Sequence, residues 1–383
     1  MYFSKEGTWV IVPQTVGGAS VIFYGCAAKP PQWLKDRYDI DLSAEVDELY
    51  KEIPIKPLPD HLIGEAARRI MEEAQGMGLD WKPIDKFMRP DKCKLGCGSF
   101  DVGYPAVGAK WTAREYVEEA RANGAELLVK TKVDMVLIEN GKAVGVRAKG
   151  PDGWQNIFAD TVVLSAGGMG TPPILNRSGV FDAGKGFFAD PLWLVSGISS
   201  TMKKGTNGCI PMTAGVNLEE DGILMTDIMQ PLSFLLGATI LKGPMGFPAI
   251  PKYVTNFNKI VTIMVKTRDH LVGGRVNSDG SFSKPIDYDN WWKLNKGQVI
   301  AEQILRKVGV KRENIMTTCV LAGHPGGTVR IGGLLDNNCQ SPITNCYCMD
   351  TSIIPEDWGL PPVVTVVAMA KRLSKHLLGR KKS

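Results

Sequence analysis

Residues 350 to 378 read DTSIIPEDWGLPPVVTVVAMAKRLSKHLL. The apolar residues from about Val363 to Leu378 recur at helical spacing and predict an amphipathic helix, whose basic end suits the negative end of its dipole. A core helix does not account for the Asp-Thr-Ser at 350–352, directly after a short strand predicted at Tyr347–Met349. Nor does it account for the Gly-Leu-Pro-Pro turn at 359–362. These two features need an explanation beyond core packing.

A glycine-rich junction occupies residues 161 to 175, which read TVVLSAGGMGTPPIL. The pattern predicts an apolar strand, a turn, and a helix opened by the Thr-Pro-Pro at 171–173. Glycines there let a ligand approach the backbone closely, and a helix amino terminus attracts phosphate. Taken alone, such a junction is more often plain packing than a binding site.

Residues 322 to 333 read AGHPGGTVRIGG and place a histidine inside a glycine-rich loop. The chain has four histidines, and the other three are predicted at the start of a helix, in a hairpin turn and on the last helix: His61, His270 and His376. His324 lies in a loop among glycines, where catalytic side chains tend to occur. By itself it fits a structural, hydrogen-bonded histidine equally well.

Taken together, these three stretches resemble the glucose–methanol–choline oxidoreductase family in order and approximate spacing. Gly17-Gly18-Ala19-Ser20 resembles the Gly-Gly-Ser-Ser flavin loop of that family, and residues 184–191 resemble the segment that leads into its substrate domain. The resemblance covers nearly the whole chain, and its most specific part is the carboxy-terminal pair of motifs.

The resemblance implies a mixed fold, α/β together with α+β. An incomplete, Rossmann-like FAD-binding domain would take residues 1–30, 90–192 and 320–383, and a substrate domain built on an antiparallel sheet would take residues 193–319. Residues 31–89 would form a helical and loop excursion. The length of 383 residues also favours two domains.

The resemblance also implies a reaction and a set of site residues. The family passes a hydride from an alcohol carbon to N5 of FAD, and a histidine aligned with His324 accepts the hydroxyl proton. A neutral imidazole suits that role near pH 7. The residues expected to contact FAD are Gly17, Gly18 and Ser20 along the flavin, Val133 at the adenine, Ala166, Gly167 and Gly168 close to the cofactor, Asp350 at the phosphate and ribityl region, and Pro362 and Val363 at the flavin pyrimidine edge.

Two departures from the family pattern bear on this site. No Gly-x-Gly-x-x-Gly appears near the start of the sequence, although the family begins with this pyrophosphate-binding turn. We expect a partner chain or a further segment to complete the FAD site, unless the start is misassigned or FAD is no longer bound in the usual way. Pro361 stands where the family usually has a second histidine or an asparagine, so the substrate hydroxyl needs another partner.

The cysteines do not predict a metal centre. Cys93 and Cys97 lie where some relatives carry a cysteine-rich stretch, but Phe100 and Tyr104 occupy the further positions. Two thiolates cannot hold an iron–sulfur cluster. The three cysteines between residues 339 and 348 lack a zinc spacing, and we interpret the thiols as buried and inert.

The composition is ordinary for a globular protein and argues against several functional classes. The net charge of +5 is scattered apart from a short basic tail, which does not favour nucleic-acid binding. No apolar run reaches the roughly 20 residues that a transmembrane helix needs, and the start lacks the features of a secretory signal. We therefore expect a cytoplasmic protein whose eight cysteines are reduced.

Three functions remain open from the sequence. The first is an FAD-dependent dehydrogenase acting on the CH–OH group of a small-molecule alcohol. The second is a cofactor-free relative that keeps the fold, and the third is a flavin electron-transfer subunit of a larger complex. The stretch from Met225 to Pro251, rich in Met, Leu, Phe and Pro, favours an apolar or bulky substrate over a sugar, although ordinary core packing explains it as well.

Short patterns predict the local structure along the rest of the chain. Thr112 and Glu115 have the spacing of a capping box, at the start of a helix that Gly124 would end. The pair Asn140-Gly141 predicts a tight hairpin. The remaining predicted elements are helices at 63–77 and 298–308, and strands at 8–12, 125–129, 133–138, 143–148 and, with short gaps, from 193 to 275.

Overall fold

The computed structural model describes residues 2–95, 108–229, 232–240 and 247–380. Cys97, Phe100 and Tyr104 lie outside the described residues, as does part of the stretch from Met225 to Pro251. The described part of the chain folds into one large sheet, four small sheets and nine α-helices.

Strands and helices are numbered along the described residues. The strands are β1 Tyr2–Phe3, β2 Trp9–Val10, β3 Ile55–Pro57, β4 Lys82–Pro83, β5 Asp85–Phe87, β6 Lys132–Glu139, β7 Lys142–Gly150, β8 Gly153–Phe158, β9 Val162–Leu164, β10 Pro191–Ser199, β11 Ala214–Leu218, β12 Ile223–Asp227, β13 Ile260–Thr267, β14 Arg275–Val276, β15 Phe282–Ser283, β16 Val310–Thr317, β17 Leu321–Ala322 and β18 Cys346–Cys348. The helices are α1 Trp33–Tyr38, α2 Ser43–Glu52, α3 Glu65–Gln75, α4 Arg114–Ala122, α5 Gly167–Arg177, α6 Leu232–Ile240, α7 Ile250–Thr255, α8 Tyr288–Lys307 and α9 Val363–Arg380.

The largest sheet has the strand order β1-β2-β17-β10-β13-β12-β11-β4, with β16 also paired to β10. Its central pair, β10 and β13, is antiparallel from Leu192 opposite Lys266 to Ile198 opposite Ile260. All eight residues of β13 are buried, and α8 packs against this strand. The predicted antiparallel sheet is confirmed. Because β1, β2, β4 and β17 join it from outside residues 193–319, the domain boundaries stay a prediction.

A second unit has the α/β arrangement. β9 and β18 pair in parallel, with Val162 opposite Cys346 and Leu164 opposite Cys348, and each strand is followed along the chain by a helix, α5 or α9. This strand–turn–helix arrangement confirms the predicted Rossmann-like part. Beside it, β6, β7 and β8 form a three-stranded sheet. The predicted hairpin between β6 and β7 turns at Asn140-Gly141, where both residues have positive φ.

The start of α4 differs from the prediction. The helix begins at Arg114, and no side chain caps its amino terminus. Glu115, the other half of the predicted capping box with Thr112, instead pairs with Arg89 at 2.8 Å. The capping box is therefore wrong, because its acidic side chain is held by a cation on another segment.

The end of α4 confirms one prediction and overturns another. Gly124 ends the helix with φ 94°, as expected for a glycine in the left-handed region. The Ala125 N–H then bonds back to the Ala120 carbonyl at 3.0 Å. The first N–H of this segment is therefore bonded to the end of α4, and residues 125–129 do not form the predicted strand.

The helix predicted at 298–308 is much longer, because α8 begins at Tyr288. The carboxylate of Asp287 caps it by accepting a hydrogen bond from the Asn290 N–H at 2.8 Å. Helices α6 and α7 also interrupt the region from 193 to 275, where mostly strands were predicted. Apolar residues suit a buried helix as well as a buried strand, and short runs do not distinguish the two.

The two largest apolar clusters of the described structure lie one in each unit. One surrounds the parallel pair with α2, α5 and α9, and includes Leu49 and Leu175. The other lies between the large sheet, α3 and α8, and includes the predicted stripe of α3 at Ala66, Ile70 and Ala74. No helix among the described residues combines the length and the apolar character needed to cross a membrane.

Gly197 lies where β10 meets β16, and a Cβ built there would come within 2.3 Å of Cγ1 of Val310. We expect Gly197→Ala to lower the free energy of unfolding by about 1–3 kcal/mol, because the added methyl group must displace packed neighbours. Gly379→Ala is the control and should cost almost nothing, because nothing lies within 4 Å of its added Cβ. Equal losses for the two variants in urea unfolding would contradict the tight contact.

Candidate functional site

His324 follows β17 in a loop that backbone hydrogen bonds fix along its length. The N–H groups of Gly323 and His324 both donate to the Ala189 carbonyl, at 2.8 and 3.3 Å. Further along, Gly326 exchanges hydrogen bonds with Phe188 at 3.0 and 3.1 Å. The loop therefore runs beside the residues that lead into β10, and the backbone position of His324 is fixed.

The imidazole of His324 contacts a buried ion pair. Its Nδ1 lies 2.9 Å from Oδ2 of Asp190 and 3.3 Å from Nζ of Lys266. Nζ of Lys266 also donates to the same Asp190 oxygen, at 2.9 Å. The side chains of Asp190 and Lys266 are 0% and 2% exposed, whereas that of His324 is 29% exposed. One edge of the ring is held from the interior, and nothing in the described part of the chain hydrogen-bonds to Nε2.

The surroundings of His324 favour a neutral ring. Burial and the Lys266 ammonium lower the pKa of His324, and the hydrogen bond to Asp190 opposes them without reversing the direction. A neutral ring that donates from Nδ1 to a carboxylate has its lone pair on Nε2. His324 can therefore accept a proton from a group bound on its exposed side.

The His324 loop packs directly against the glycine-rich turn after β9. A Cβ on Gly168 would lie 2.3 Å from the Pro325 carbonyl oxygen, and one on Gly326 would lie 2.5 Å from the Thr351 carbonyl oxygen. Oγ1 of Thr351 also donates to the Pro325 carbonyl at 2.7 Å. Only glycine fits such approaches, and through them the three sequence motifs meet around His324.

Helix α5 begins at Gly167 rather than at the predicted Thr171. Pro172 therefore lies inside the helix, where it has no N–H to donate to the Gly168 carbonyl. Oγ1 of Thr328 donates to that carbonyl instead, at 2.8 Å. A side chain from the His324 loop thus replaces a missing helical hydrogen bond, which ties the start of α5 to the loop.

Asp350 joins two of the motifs. Its Oδ2 accepts hydrogen bonds from the Gly167 N–H at 2.9 Å and from Oγ1 of Thr171 at 2.5 Å. Its Oδ1 accepts from the Ser352 N–H at 2.7 Å. The carboxylate therefore holds the amino terminus of α5, which includes Ala166 as its N-cap. The predicted contact of Asp350 with the phosphate and ribityl region stays a prediction.

The predicted flavin loop is a tight turn anchored on the start of α4. Gly17 and Gly18 both have positive φ, at 90° and 56°. Oγ of Ser20 donates to the Gly17 carbonyl at 2.5 Å and accepts from the Ala113 N–H at 2.8 Å. Ser20 therefore shapes the turn and fastens it, so its side chain has a structural role whether or not it touches a flavin.

A buried lysine supports the chain directly after this loop. Nζ of Lys110 donates to the carbonyls of Val21 and Phe23, at 2.8 and 2.7 Å. Burial, with a smaller contribution from the charge of Lys86, lowers the pKa of Lys110 to about 7. Nothing in the sequence marks Lys110, because lysines are usually exposed and its partners are main-chain carbonyls distant in sequence.

The remaining predicted cofactor contacts lie on β6 and at the start of α9. Val133 is on β6, opposite Ala148, and its neighbour Asp134 pairs with Arg177 at the carboxyl end of α5. Gly167 and Val133 are therefore associated with opposite ends of the same helix. α9 begins at Val363, as predicted, and its first helical hydrogen bonds use the Pro362 carbonyl.

The fit of a cofactor can be judged from the open glycines. Gly18 and Gly167 both have positive φ, and nothing lies within 4 Å of a Cβ built on either residue. Unlike Gly168, they are not needed for packing against protein. Their backbones face open space and can be approached closely by a ligand, which fits the predicted flavin contacts.

Six of the seven described thiols are buried, as predicted, and the seventh, Cys319, is partly exposed. Cys93 is among the buried thiols, although its predicted companion Cys97 lies outside the described residues. Burial raises the pKa of Cys339 to about 12 and that of Cys346 to about 11. These two groups are therefore protonated near neutral pH and are poor nucleophiles or metal ligands.

Sequence reasoning missed Asp190 and Lys266, the two residues that hold the His324 ring. Asp190 appears in the segment leading into the substrate domain, without a role. Lys266 stands near the end of the apolar strand IVTIMVKT. A lone lysine in a strand buried along its whole length is a signal, because a buried ammonium needs a partner.

Comparisons with known proteins bear on the family and the fold. A family model described as GMC oxidoreductase matches residues 3–195. An uncharacterized protein of Methanocaldococcus jannaschii is 26% identical over 372 residues, which is 95% of this chain and 86% of the relative. An uncharacterized GMC-type oxidoreductase of Mycobacterium tuberculosis is 26% identical over 252 residues, so 61% of this chain matches only 39% of that relative.

A solved structure has the same fold. The crystal structure of pyridoxine 4-oxidase from Mesorbium loti superimposes with a TM-score of 0.72 at 16% sequence identity. The match covers 95% of this chain and 84% of that one. At this identity, the likeness shows the fold alone.

Lys110 makes the stability of the protein depend on pH. Its pKa is about 7 in the folded chain against 10.5 as a free side chain, so between these values the unfolded chain binds a proton that the folded chain lacks. Stability should therefore rise with pH above about 7, by at most about 1.4 kcal/mol per pH unit.

The test compares the slope of unfolding free energy against pH, from about pH 7 to about pH 8.5, in denaturant titrations. Lys110→Met should flatten the slope, since the titrating group is gone. Lys132→Met is the matched control at an exposed lysine and should keep the slope of the parent protein. An unchanged slope in Lys110→Met would rule out Lys110 as its source.

Proposed function

Because this chain belongs to the GMC oxidoreductase family, we propose that it is an FAD-dependent oxidoreductase that oxidises the CH–OH group of a small-molecule alcohol. FAD is the cofactor of this family. The observation that carries the proposal is the arrangement of His324, whose Nδ1 is held by a buried carboxylate 2.9 Å away while Nε2 is left to accept a proton. The two open glycines that a flavin could approach, Gly18 and Gly167, lie in the predicted flavin loop and in the turn after β9.

Residues from several of the sequence motifs would hold FAD, among them the open glycines Gly18 and Gly167. Gly17, Gly18 and Ser20 would lie along the flavin, and Ala166, Gly167 and Gly168 would form the close turn. The amino terminus of α9 at Pro362 and Val363 would favour negative charge at the pyrimidine edge, Asp350 would lie at the ribityl region, and Val133 would meet the adenine. When bound, FAD would supply the hydride acceptor for the alcohol carbon.

The protein side of the reaction is a proton transfer. Nε2 of His324 accepts the hydroxyl proton of the alcohol while the C–H bond gives up its hydrogen and electron pair, so the product is the carbonyl compound. The Asp190 carboxylate accepts a hydrogen bond from the Nδ1–H of His324. The ring therefore keeps its lone pair on Nε2. The lowered pKa keeps His324 unprotonated near pH 7, so that it is ready to act as the base.

Pro361 and the apolar residues of the large sheet indicate which kind of alcohol the site would accept. Pro361 offers no side-chain donor or acceptor at the position where the family usually has His or Asn, so the hydroxyl group of the substrate is bound mainly through His324. The strand that leads into the His324 loop packs in an apolar cluster that includes Leu194, Met264 and Leu321. We therefore propose an apolar or bulky alcohol.

One sheet edge in the α/β unit is open. β9 pairs with β18 along one edge, and no described strand pairs with the other edge. Val163 on β9 is 43% exposed, whereas strands of parallel sheets are normally covered on both faces. We propose that a strand–turn–helix segment, on this polypeptide or on a partner chain, adds to this edge and binds the FAD pyrophosphate.

The proposal predicts that His324→Gln slows flavin reduction by about 100-fold to 10,000-fold. The measurement is the anaerobic bleaching of the flavin bands by a panel of aliphatic, aromatic and polar alcohols, in protein purified with any partner retained. His61→Gln, at an exposed histidine, is the control and should bleach at the parent rate. The flavin spectrum before mixing should be the same in all three proteins, since His324 acts on the substrate.

Equal bleaching in His324→Gln and in the parent protein would remove His324 from the mechanism. Purified protein that binds no flavin, even when FAD is added with the completing segment present, would overturn the proposed cofactor use. Bound flavin that no alcohol bleaches would instead favour an electron-transfer role.

A further inference from the structure

We propose that Lys266 is a positioning residue whose charge keeps His324 neutral beside Asp190, the carboxylate that accepts a hydrogen bond from Nδ1. This role rests on the proposed function, in which His324 is the base. Lys266 does not reach the exposed side of the ring, because its side chain is 2% exposed and its Nζ faces Nδ1. It acts on the reaction through the charge that it places beside the ring.

The geometry joins the three side chains at one atom. Nδ1 of His324 and Nζ of Lys266 both lie 2.9 Å from Oδ2 of Asp190. Oδ1 of Asp190 is buried and has no hydrogen-bond partner in the described structure. Within the described structure, the side-chain hydrogen bonds of Asp190 are therefore made through Oδ2, to the lysine and to the imidazole.

The need for a lysine follows from the charge balance. A carboxylate that accepts a hydrogen bond from an imidazole fixes the tautomer, but it also stabilises the protonated ring. A protonated ring cannot accept a proton from an alcohol. The Lys266 ammonium cancels most of the charge of Asp190, so the ring keeps its orientation without being pushed toward the imidazolium form.

His270 shows what happens with a different balance of charges. Its Nδ1 lies 2.6 Å from a carboxylate oxygen of Asp357, and its Nε2 lies 2.7 Å from one of Asp289. Burial acts to lower the pKa of His270, as does the nearby Lys293, but the hydrogen bonds to the two carboxylates outweigh them and raise it. His324 has one carboxylate and one buried ammonium, and its pKa moves the other way.

The other charged groups near His324 do not disturb this balance. Lys266 approaches from β13 and Asp190 from the residue before β10. Behind Asp190 lies a second buried pair, in which Nζ of Lys284 is 2.9 Å from Oδ1 of Asp269. Burial raises the pKa of Asp269 to about 6, so this pair is neutral overall only above that pH. The charges that act on the pKa of His324 itself are those of Lys266 and Asp190.

The test is the titration of the imidazole itself, followed by NMR of histidine-labelled protein, which needs neither substrate nor turnover. Lys266→Met should move the His324 midpoint to higher pH by about one unit or more, because the carboxylate is left uncompensated. Asp190→Asn should move it to lower pH, because the ammonium is left alone. Lys266→Arg keeps the charge and should titrate close to the parent protein, and His61 serves as the internal control.

The rate of flavin reduction should fall at low pH as His324 becomes protonated. In each variant the midpoint of this fall should shift in the same direction as the NMR midpoint of His324. The double variant Lys266→Met with Asp190→Asn removes both buried charges at once, which proteins tolerate better than loss of one partner. Its His324 midpoint should lie below that of Lys266→Met, so the proposal remains testable if a single variant does not fold.

Midpoints that move in the same direction in Lys266→Met and Asp190→Asn, or that do not move, would overturn the positioning role. Opposite shifts in a protein whose flavin no alcohol bleaches would support the positioning role and contradict the proposed function instead. The two failures are therefore distinguishable.

Discussion

The site depends on one contact of backbone against backbone. Gly168 lies so close to the Pro325 carbonyl oxygen that a Cβ would come within 2.3 Å of it. This approach sets the amino terminus of α5 beside the His324 loop, and the hydrogen bond of Thr328 fastens the two together. Asp350 holds the same helix start from the Asp-Thr-Ser motif. A side chain at residue 168 would displace the loop and with it the imidazole of His324, so the position of this ring depends on a glycine.

The buried charges next to His324 come in pairs. Lys266 pairs with Asp190, and Lys284 pairs with Asp269, in each case with both side chains no more than 2% exposed. Removing one partner of such a pair is costly because it leaves an uncompensated charge in the interior. The balanced interior is what allows a partly exposed histidine to stay neutral beside a carboxylate.

Much of this could be read from the sequence. The glycine-rich turn at 166–168, the His324 loop and the Asp-Thr-Ser motif resemble one family, and it was this resemblance that indicated the fold and the expected site residues. The large antiparallel sheet and the Asn140-Gly141 hairpin followed from periodicity and turn chemistry. These features were predictable because each depends on residues close together in the chain.

The rest depends on contacts that sequence spacing does not reveal. Asp190 and Lys266 are brought together only by the pairing of β10 with β13. The early start of α5 depends on Thr328, a residue of another loop, which supplies the hydrogen bond that Pro172 cannot. The predicted capping box at Thr112 failed for the same reason, since Arg89 holds the glutamate from a distant segment.

The most direct test of the whole account is a crystal structure of the protein with FAD bound. We predict that the isoalloxazine ring lies on the exposed side of His324, with Gly17, Gly18 and Ser20 along it and the first turn of α9 at its pyrimidine edge. A flavin bound elsewhere, or one that leaves Nε2 of His324 facing away from the ring, would contradict the account.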